Sequence, residues 1–304
     1  MKVFVFPGQG SQFVGMGKEL AGRYPVARST FEEADDMLGF KLSRLCFDGP
    51  EKELGLTENT QPAILATSIA ILRVLQTTGR DPDLVAGHSL GEYSAVVCAG
   101  GMDFGEALRV VRERGRLMQE AVPVGQGGMA AIFGLDEEQV LEICEEEARS
   151  EVVTPANLNG AGQIVIAGHV EAVQRVTHLA DRRGARRVVL LPVSAPFHCR
   201  LMMPAQKQLK KILSKVRFKD LQYPLVNNVD AEVIQSAPAV RDGLIRQVSS
   251  PVRWEACVRE MISRGATSVH EIGPGRVLTG MVRRIERSIN AISIGTLDQI
   301  EANV

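Results

Sequence analysis

No stretch of this chain is apolar for long enough to cross a bilayer; every hydrophobic run is short and broken by glycine or charge. Net charge is almost absent. Lys plus Arg is 35 and Asp plus Glu is 36, a formal balance of −1, which does not mark the chain as a nucleic-acid binder. Cysteine is sparse and odd in number. The 5 residues, at 46, 98, 144, 199 and 257, each lie more than 40 positions from the next, a spacing that makes neither a disulfide framework nor a metal knuckle. The opening run Met1–Gly8 has one Lys and a short apolar segment, too little for a signal peptide. Low-complexity segments and fixed-period repeats are missing. What is present is 304 residues, 45% hydrophobic and 23% charged. That is length for about two domains, or one large α/β domain with an insertion. The expectation is a soluble, cytoplasmic, globular protein with no membrane and no nucleic-acid partner.

The chain alternates short β-like runs with longer helical patterns. Strands are predicted at 2–6 and 84–86. Helices are predicted at 60–78, with Pro62 in the first turn, at 92–99, and at 103–122, where Asp103 and Glu106 have capping-box spacing. Repeated β-turn-α units imply a mostly parallel sheet covered on both faces. Residues 127–191 read differently. Strands at 129–133, 152–156, 163–167 and 187–191 and helices at 136–149 and 170–184 give β-α-β-β-α-β, the ferredoxin-like order, with turn chemistry at Asn159-Gly160. A helix at 201–214, a strand at 268–272, a helix at 277–287 and a strand at 291–294 return to the α/β pattern. The implied division is a discontinuous catalytic unit, 1–125 and 194–304, around an insert at 126–193.

Gly87-His88-Ser89-Leu90-Gly91 matches the G-x-S-x-G nucleophile elbow and lies between a short apolar strand and a helix, as that motif requires. Glycines on both sides let neighbouring backbone approach, and the helix N-terminus favours developing negative charge. Ser89 needs a base. Of the histidines, His88 would point away across the turn, His169 and His178 belong to the insert's helix, and His270 lies in a strand-like run. His198 remains, in a loop stiffened by Pro196 where the chain re-enters the larger unit. No Asp or Glu stands out as a third member, and 304 − 198 = 106 residues follow this histidine, unlike the usual elbow order. A Ser-His dyad is the more natural reading, with a backbone carbonyl or amide orienting the ring.

Arg114 is out of place. It falls within about 60° of the apolar stripe formed by Ala107, Val110, Val111, Leu117, Met118 and Ala121. A buried guanidinium cannot neutralise itself and needs an anion. Either it pairs with a distant structural carboxylate or reaches solvent, or it awaits a substrate carboxylate. An acyl transfer also needs an oxyanion hole. One donor would be the N–H of Leu90, after the nucleophile. The other would be Gln9, in the Gly8-Gln9-Gly10-Ser11-Gln12 loop that follows the first strand. That loop lacks the Lys and the spacing of a phosphate loop, which argues against nucleotide binding.

These pieces together resemble a known family. Phe6–Gln12, Gly87–Ala95, Arg114–Gln119, Ala156–Asn159, Ala195–His198, Gln247–Trp254 and Glu271–Gly275 are similar, in order and over essentially the whole chain, to the malonyl-CoA:acyl carrier protein transacylases. The resemblance implies an α/β-hydrolase-like large subdomain with a ferredoxin-like insert. Ser89 would carry the malonyl ester and His198 would act as base, then acid. Gln9 and Leu90 would form the oxyanion hole and Arg114 would clamp the malonyl carboxylate. Gln247 would orient His198 through its backbone carbonyl, and Asn157 would line the site. It implies a ping-pong reaction between malonyl-CoA and the phosphopantetheine thiol of acyl carrier protein, supplying fatty acid synthesis, with no metal or redox cofactor. A monomer meeting an acidic carrier transiently through Lys207–Lys219 or Arg182–Arg187 is expected. A polyketide-line acyltransferase or a serine thioesterase or esterase would share most of these residues.

Overall fold

The structure is a computed structural model and describes residues 1–193 and 195–303; Ser194, the first residue of the expected second catalytic segment, and Val304 lie outside it. Among the described residues, ten strands form two sheets. They are β1 (Lys2–Phe6), β2 (Leu84–Gly87), β3 (Gly127–Phe133), β4 (Val153–Gly160), β5 (Gln163–His169), β6 (Arg187–Leu190), β7 (Leu225–Val226), β8 (Val233–Ile234), β9 (Ser268–Ile272) and β10 (Asn290–Ile294).

The larger sheet has the order β10-β9-β1-β2-β7-β8. Its neighbours are parallel except the β7–β8 pair. Alternation along the strands splits their side chains between two cores. Phe4, Phe6 and Val85 face the helices Pro25–Leu38, Thr57–Gln76 and Phe104–Glu120. Val3, Val5, Leu84 and Ala86 face Trp254–Ser263 and Val277–Ile285. Both faces are therefore dry, as a parallel sheet requires. Residue pairing is in register, with Phe6 beside Gly87 and Ala86 beside Val226. The segments starting at Pro7, His88 and Asn227 consequently leave one edge of the sheet together, at the carboxyl ends where α/β ligand sites form.

The smaller sheet, β4-β5-β3-β6, is antiparallel throughout. One face, with Ala130, Ile132, Ile164 and Ile166, packs its own core under helices Glu137–Ala148 and Val170–Arg182. The other face, with Met129, Ala131, Val165 and Ala167, joins the main core.

Three local expectations need correction. The helix predicted from Thr60 starts at Thr57, because the Leu56 carbonyl already takes the N–H groups of Asn59 and Thr60. Pro62 therefore sits inside the helix rather than in its first turn and forgoes one bond near the helix start. The turn between β4 and β5 is Ala161-Gly162, at φ 52° and 71°, with Gly160 paired to Gln163, because a two-residue hairpin of this hand needs both residues at positive φ. Asn159 and Gly160 are the last residues of β4. Asp103 caps no N–H with its side chain; it and Glu106 act only as charges at the helix's positive end. The capping box that does form is Asp136 with Gln139. Four helices between Lys18 and Leu54, two more at Ala237–Gln247 and Trp254–Ser263, and the β7–β8 pair were not predicted.

Candidate active site

Ser89 sits in the sharp turn from β2 into the helix Gly91–Cys98, at φ 51°. A non-glycine residue there is strained and needs outside support. The turn is compressed. A Cβ on Gly87 would lie inside the Gly91 carbonyl, and one on Gly91 inside the Phe6 carbonyl, so larger residues would pry the helix from the sheet. The Ser89 N–H is held at 2.7 Å by Asn228 Oδ1, whose Nδ2 donates to the Gly87 carbonyl at 2.6 Å.

Ser89 Oγ lies 2.7 Å from His198 Nε2. The other ring nitrogen, Nδ1, lies 2.9 Å from the Gln247 carbonyl oxygen. A carbonyl only accepts, so Nδ1 carries the proton and Nε2 presents its lone pair to the serine hydroxyl. Burial, then the nearby Arg114 charge, push the His198 pKa down to about 3, against the pull of the Gln247 carbonyl. The ring is therefore neutral at physiological pH. Among the described residues no carboxylate hydrogen-bonds it. His198 is itself at φ 60°. The remaining histidines are engaged elsewhere or point outward. His88 bonds Asn159 Oδ1 at 2.9 Å, His169 Nδ1 accepts the Val152 N–H, His178 is exposed, and His270 stacks on Phe4.

Arg114 is 1% exposed. Its Nη1 donates to Gln61 Oε1 at 2.8 Å, and its Nη2 to Gln247 Oε1 at 2.8 Å and to Ser89 Oγ at 3.1 Å. Burial lowers its pKa, with Tyr93 and Glu92 acting the other way. It forms no ion pair with any described residue and does not reach solvent, so two amide oxygens occupy the place of an anion. No direct ion pair and no route to solvent are therefore seen for Arg114 among the described residues, and Glu92 acts on it only through space and through the shared Gln247 amide.

The Gln9 and Leu90 N–H groups have no acceptor among the described residues. Both residues line the same cavity as Ser89, His198, Arg114 and Asn157, about 460 Å³ in volume. Asn157 is brought there by a bulge in β4 between Pro155 and Asn157. Met129 of β3 and the segment Leu191–Val193 after β6 close the cavity, and Phe197 adds an apolar wall. Gln247 lies behind it, fully buried. All seven predicted residues thus converge. A second cavity of similar volume, around Gly134, Arg186 and Glu255, holds none of them.

Sequence reasoning missed Gln61, Glu92 and Asn228. Glu92 was visible in principle, as an acid just inside an otherwise apolar helix. Gln61 and Asn228 carried no local signal. Among the described residues no three His, Cys, Asp or Glu side chains gather as a metal site, and no helix is long and apolar enough to cross a membrane.

The chain matches the acyl transferase domain family over residues 3–299. It is 49% identical over 292 residues to the malonyl CoA-acyl carrier protein transacylase of Salmonella typhimurium, covering 96% of this chain and 94% of that protein. The crystal structure of an acyl carrier protein S-malonyltransferase from Vibrio cholerae is similar at a TM-score of 0.97 and 47% identity, covering 99% of each chain. A malonyl-transacylase solved in complex with its type II polyketide acyl-carrier protein is similar at 0.97 and 48%, covering 99% of this chain and 98% of that one. On identity of this level along nearly its whole length, the chain belongs to the acyl transferase family, among the malonyl CoA-acyl carrier protein transacylases.

Proposed function

We propose that Ser89 and His198 are the catalytic dyad with which this chain moves a malonyl group from malonyl-CoA to acyl carrier protein. One observation carries the reading. A single oxygen, Ser89 Oγ, has the bare His198 Nε2 at 2.7 Å and Arg114 Nη2 at 3.1 Å. Nucleophile, base and a buried cation meet at one atom.

His198 takes the Ser89 proton as Oγ attacks the thioester carbonyl. The Gln9 and Leu90 N–H groups receive the oxyanion, each worth about 10²–10³ in rate. The tetrahedral adduct expels CoA, and His198 returns the proton to the leaving thiolate. The phosphopantetheine thiol then repeats the steps in reverse. Arg114 exchanges amide oxygens for the malonyl carboxylate, which bonds its planar fork bidentately. Asn157 borders the acyl chain from the insert. The Gln247 carbonyl keeps His198 in the productive tautomer.

The two sheets and their order support an α/β-hydrolase-like unit, 1–125 and 194–304, with a ferredoxin-like insert at 126–193. The site then lies between the two, which lets the insert shield the ester from water. Five buried, unpaired thiols suit a reducing, cytoplasmic setting. The carrier is met as a monomer. Lys207, Lys210, Lys211, Lys215, Arg217 and Lys219 are all exposed and form no ion pair among the described residues, whereas Arg183 is engaged by Glu142 and Glu146. Arg182, Arg186 and Arg187 are exposed too, so the first stretch, with six exposed unpaired charges against three, is the better electrostatic landing for an acidic carrier. Fatty acid synthesis is the pathway served; the relative bound to a polyketide carrier makes carrier preference the measurement that separates the two.

The test is intact mass after brief mixing with malonyl-CoA, with acetyl-CoA and Ser89→Ala as controls. A malonyl adduct on the wild type alone is expected. Release of CoA without an adduct would mean a thioesterase, and an adduct on Ser89→Ala would remove the nucleophile.

A further inference from the structure

Glu92 is fully buried one turn of chain beyond the nucleophile, and the transfer chemistry leaves it unused. Its Oε2 accepts two N–H donors, the backbone of Asn228 at 2.9 Å and Gln247 Nε2 at 2.9 Å. Each of these partners holds one half of the dyad. Asn228 grips the elbow on both sides of His88, through the Ser89 N–H and the Gly87 carbonyl. The Gln247 carbonyl sets His198, its Nε2 also donates to the Ser89 carbonyl at 3.0 Å, and its Oε1 receives Arg114. Asn228 follows β7, Gln247 ends the helix Ala237–Gln247, and Glu92 begins the helix Gly91–Cys98. Three separate elements thus meet on one carboxylate oxygen. The other oxygen, Oε1, has no hydrogen-bond partner, so the site uses this carboxylate as a double acceptor.

Burial at this point is costly for an anion. It pushes the Glu92 carboxyl up to about 7, against the Asn228 N–H, Gln247 and Arg114. A buried acid kept at such a cost next to strained backbone, at Ser89 and His198 alike, is what a positioning element looks like. We infer that Glu92 is a positioning residue that fixes Ser89 through Asn228 and His198 through Gln247, setting the distance between nucleophile and base. This rests on the dyad reading above.

The experiment is single-turnover malonylation of the full chain, followed by intact mass over a range of malonyl-CoA concentrations, with thermal melting of every variant. Glu92→Ala should slow acylation about 10²-fold, the cost of misplacing reacting atoms by about 1 Å, while the half-saturating malonyl-CoA concentration moves less than about threefold. Glu92→Gln should stay within about tenfold of wild type, because its amide oxygen can accept both N–H groups. Asn228→Ala should slow acylation similarly, and Asn228→Ala with Glu92→Ala should fall well short of the product of the two losses, since they share one path. A folded Glu92→Ala at the wild-type rate, a multiplicative double variant, or a Glu92→Gln as slow as Glu92→Ala would each overturn the inference. Where Glu92→Ala does not fold, Glu92→Asp, whose shorter side chain withdraws the carboxylate from both N–H donors, takes its place by the same criterion: slowed acylation that falls short of the product with Asn228→Ala supports the inference, and a wild-type rate or a product overturns it. Ser89→Ala runs in parallel. An adduct on that variant would sink the dyad itself, whereas a dead Ser89→Ala beside a normal Glu92→Ala would sink only the role of Glu92.

Discussion

Arg114→Ala should turn a malonyl-selective site into an indifferent one. The guanidinium is 1% exposed and already makes three hydrogen bonds, to Gln61, Gln247 and Ser89. A substrate carboxylate would replace neutral amide acceptors with charged ones. A hydrogen bond to a charged group contributes about 1.5–3 kcal/mol, so a two-bond clamp is worth about 3–6 kcal/mol. At 1.36 kcal/mol per tenfold, kcat/KM for malonyl-CoA should fall by about 10²–10⁴. Acetyl-CoA has no carboxylate and loses nothing; its rate should hold or rise, because the unpaired buried charge is gone. The assay is adduct formation in a mixture of both thioesters, read by intact mass, with the two adducts distinguished by their masses. Removal of Arg114 also leaves Gln61 Oε1 and Gln247 Oε1 without a donor, so melting is measured beside it. A folded Arg114→Ala that still prefers malonyl over acetyl by the wild-type ratio would refute the clamp.

His198 carries a pH consequence. Its folded pKa is about 3 against the ordinary 6.5, so the unfolded chain binds the extra proton between those values, and stability falls as pH drops from 6.5 towards 3. Melting temperature in that window should decline less steeply for His198→Asn than for the wild type; equal slopes would place the proton uptake elsewhere. The same pKa keeps the base neutral, so His198 itself should add no inflection to the acylation rate between neutral pH and about 5 while the protein is folded, and a change of up to about tenfold near pH 7 would belong to Glu92. Gly91→Ala should cost about 1–3 kcal/mol of stability and slow acylation, because its methyl group would displace the Phe6 carbonyl; a denaturant midpoint equal to wild type would show that the elbow has slack. Charge reversal at Lys207, Lys210 and Lys211 should raise KM for the carrier and weaken its salt dependence, with acylation by malonyl-CoA unchanged. An equal loss in both half-reactions would point to a folding defect instead.

Much of the architecture was legible because it follows from period and punctuation. The strand Lys2–Phe6 and the strand Ser268–Ile272 are short apolar runs between turns, and both were read with their observed bounds. The insert's β-α-β-β-α-β order came from the same signals. Where signals are weak, elements were lost. The buried stripe of Pro25–Leu38 is built largely from Ala27, Thr30, Phe31 and Ala34, too small and polar to stand out. The two-residue strands β7 and β8 exist only because β2 is there to pair with β7. The turn at Ala161-Gly162 went to Asn159-Gly160, since Asn-Gly is the commoner chemistry and register is a tertiary property.

The chain alone determined the parts whose chemistry is local. G-x-S-x-G specified a nucleophile on a strand-to-helix turn, and elimination among five histidines left His198. A charge on an apolar helical face marked Arg114 as needing a partner. Only the tertiary structure decided what those parts meet. Gln9, Ser89 and Asn228 come together because parallel pairing of β1, β2 and β7 brings three loops to one sheet edge, and packed helices deliver Arg114 and Gln247, whose carbonyl holds His198. The same packing supplied the partners that sequence could not name. They are the amides of Gln61 and Gln247 around a lone guanidinium, Asn228 across the elbow, and Glu92 beneath them all. A side chain's type is written in the sequence, but its hydrogen-bond partner is selected by burial, which removes water as an alternative and leaves only the groups the fold puts within reach.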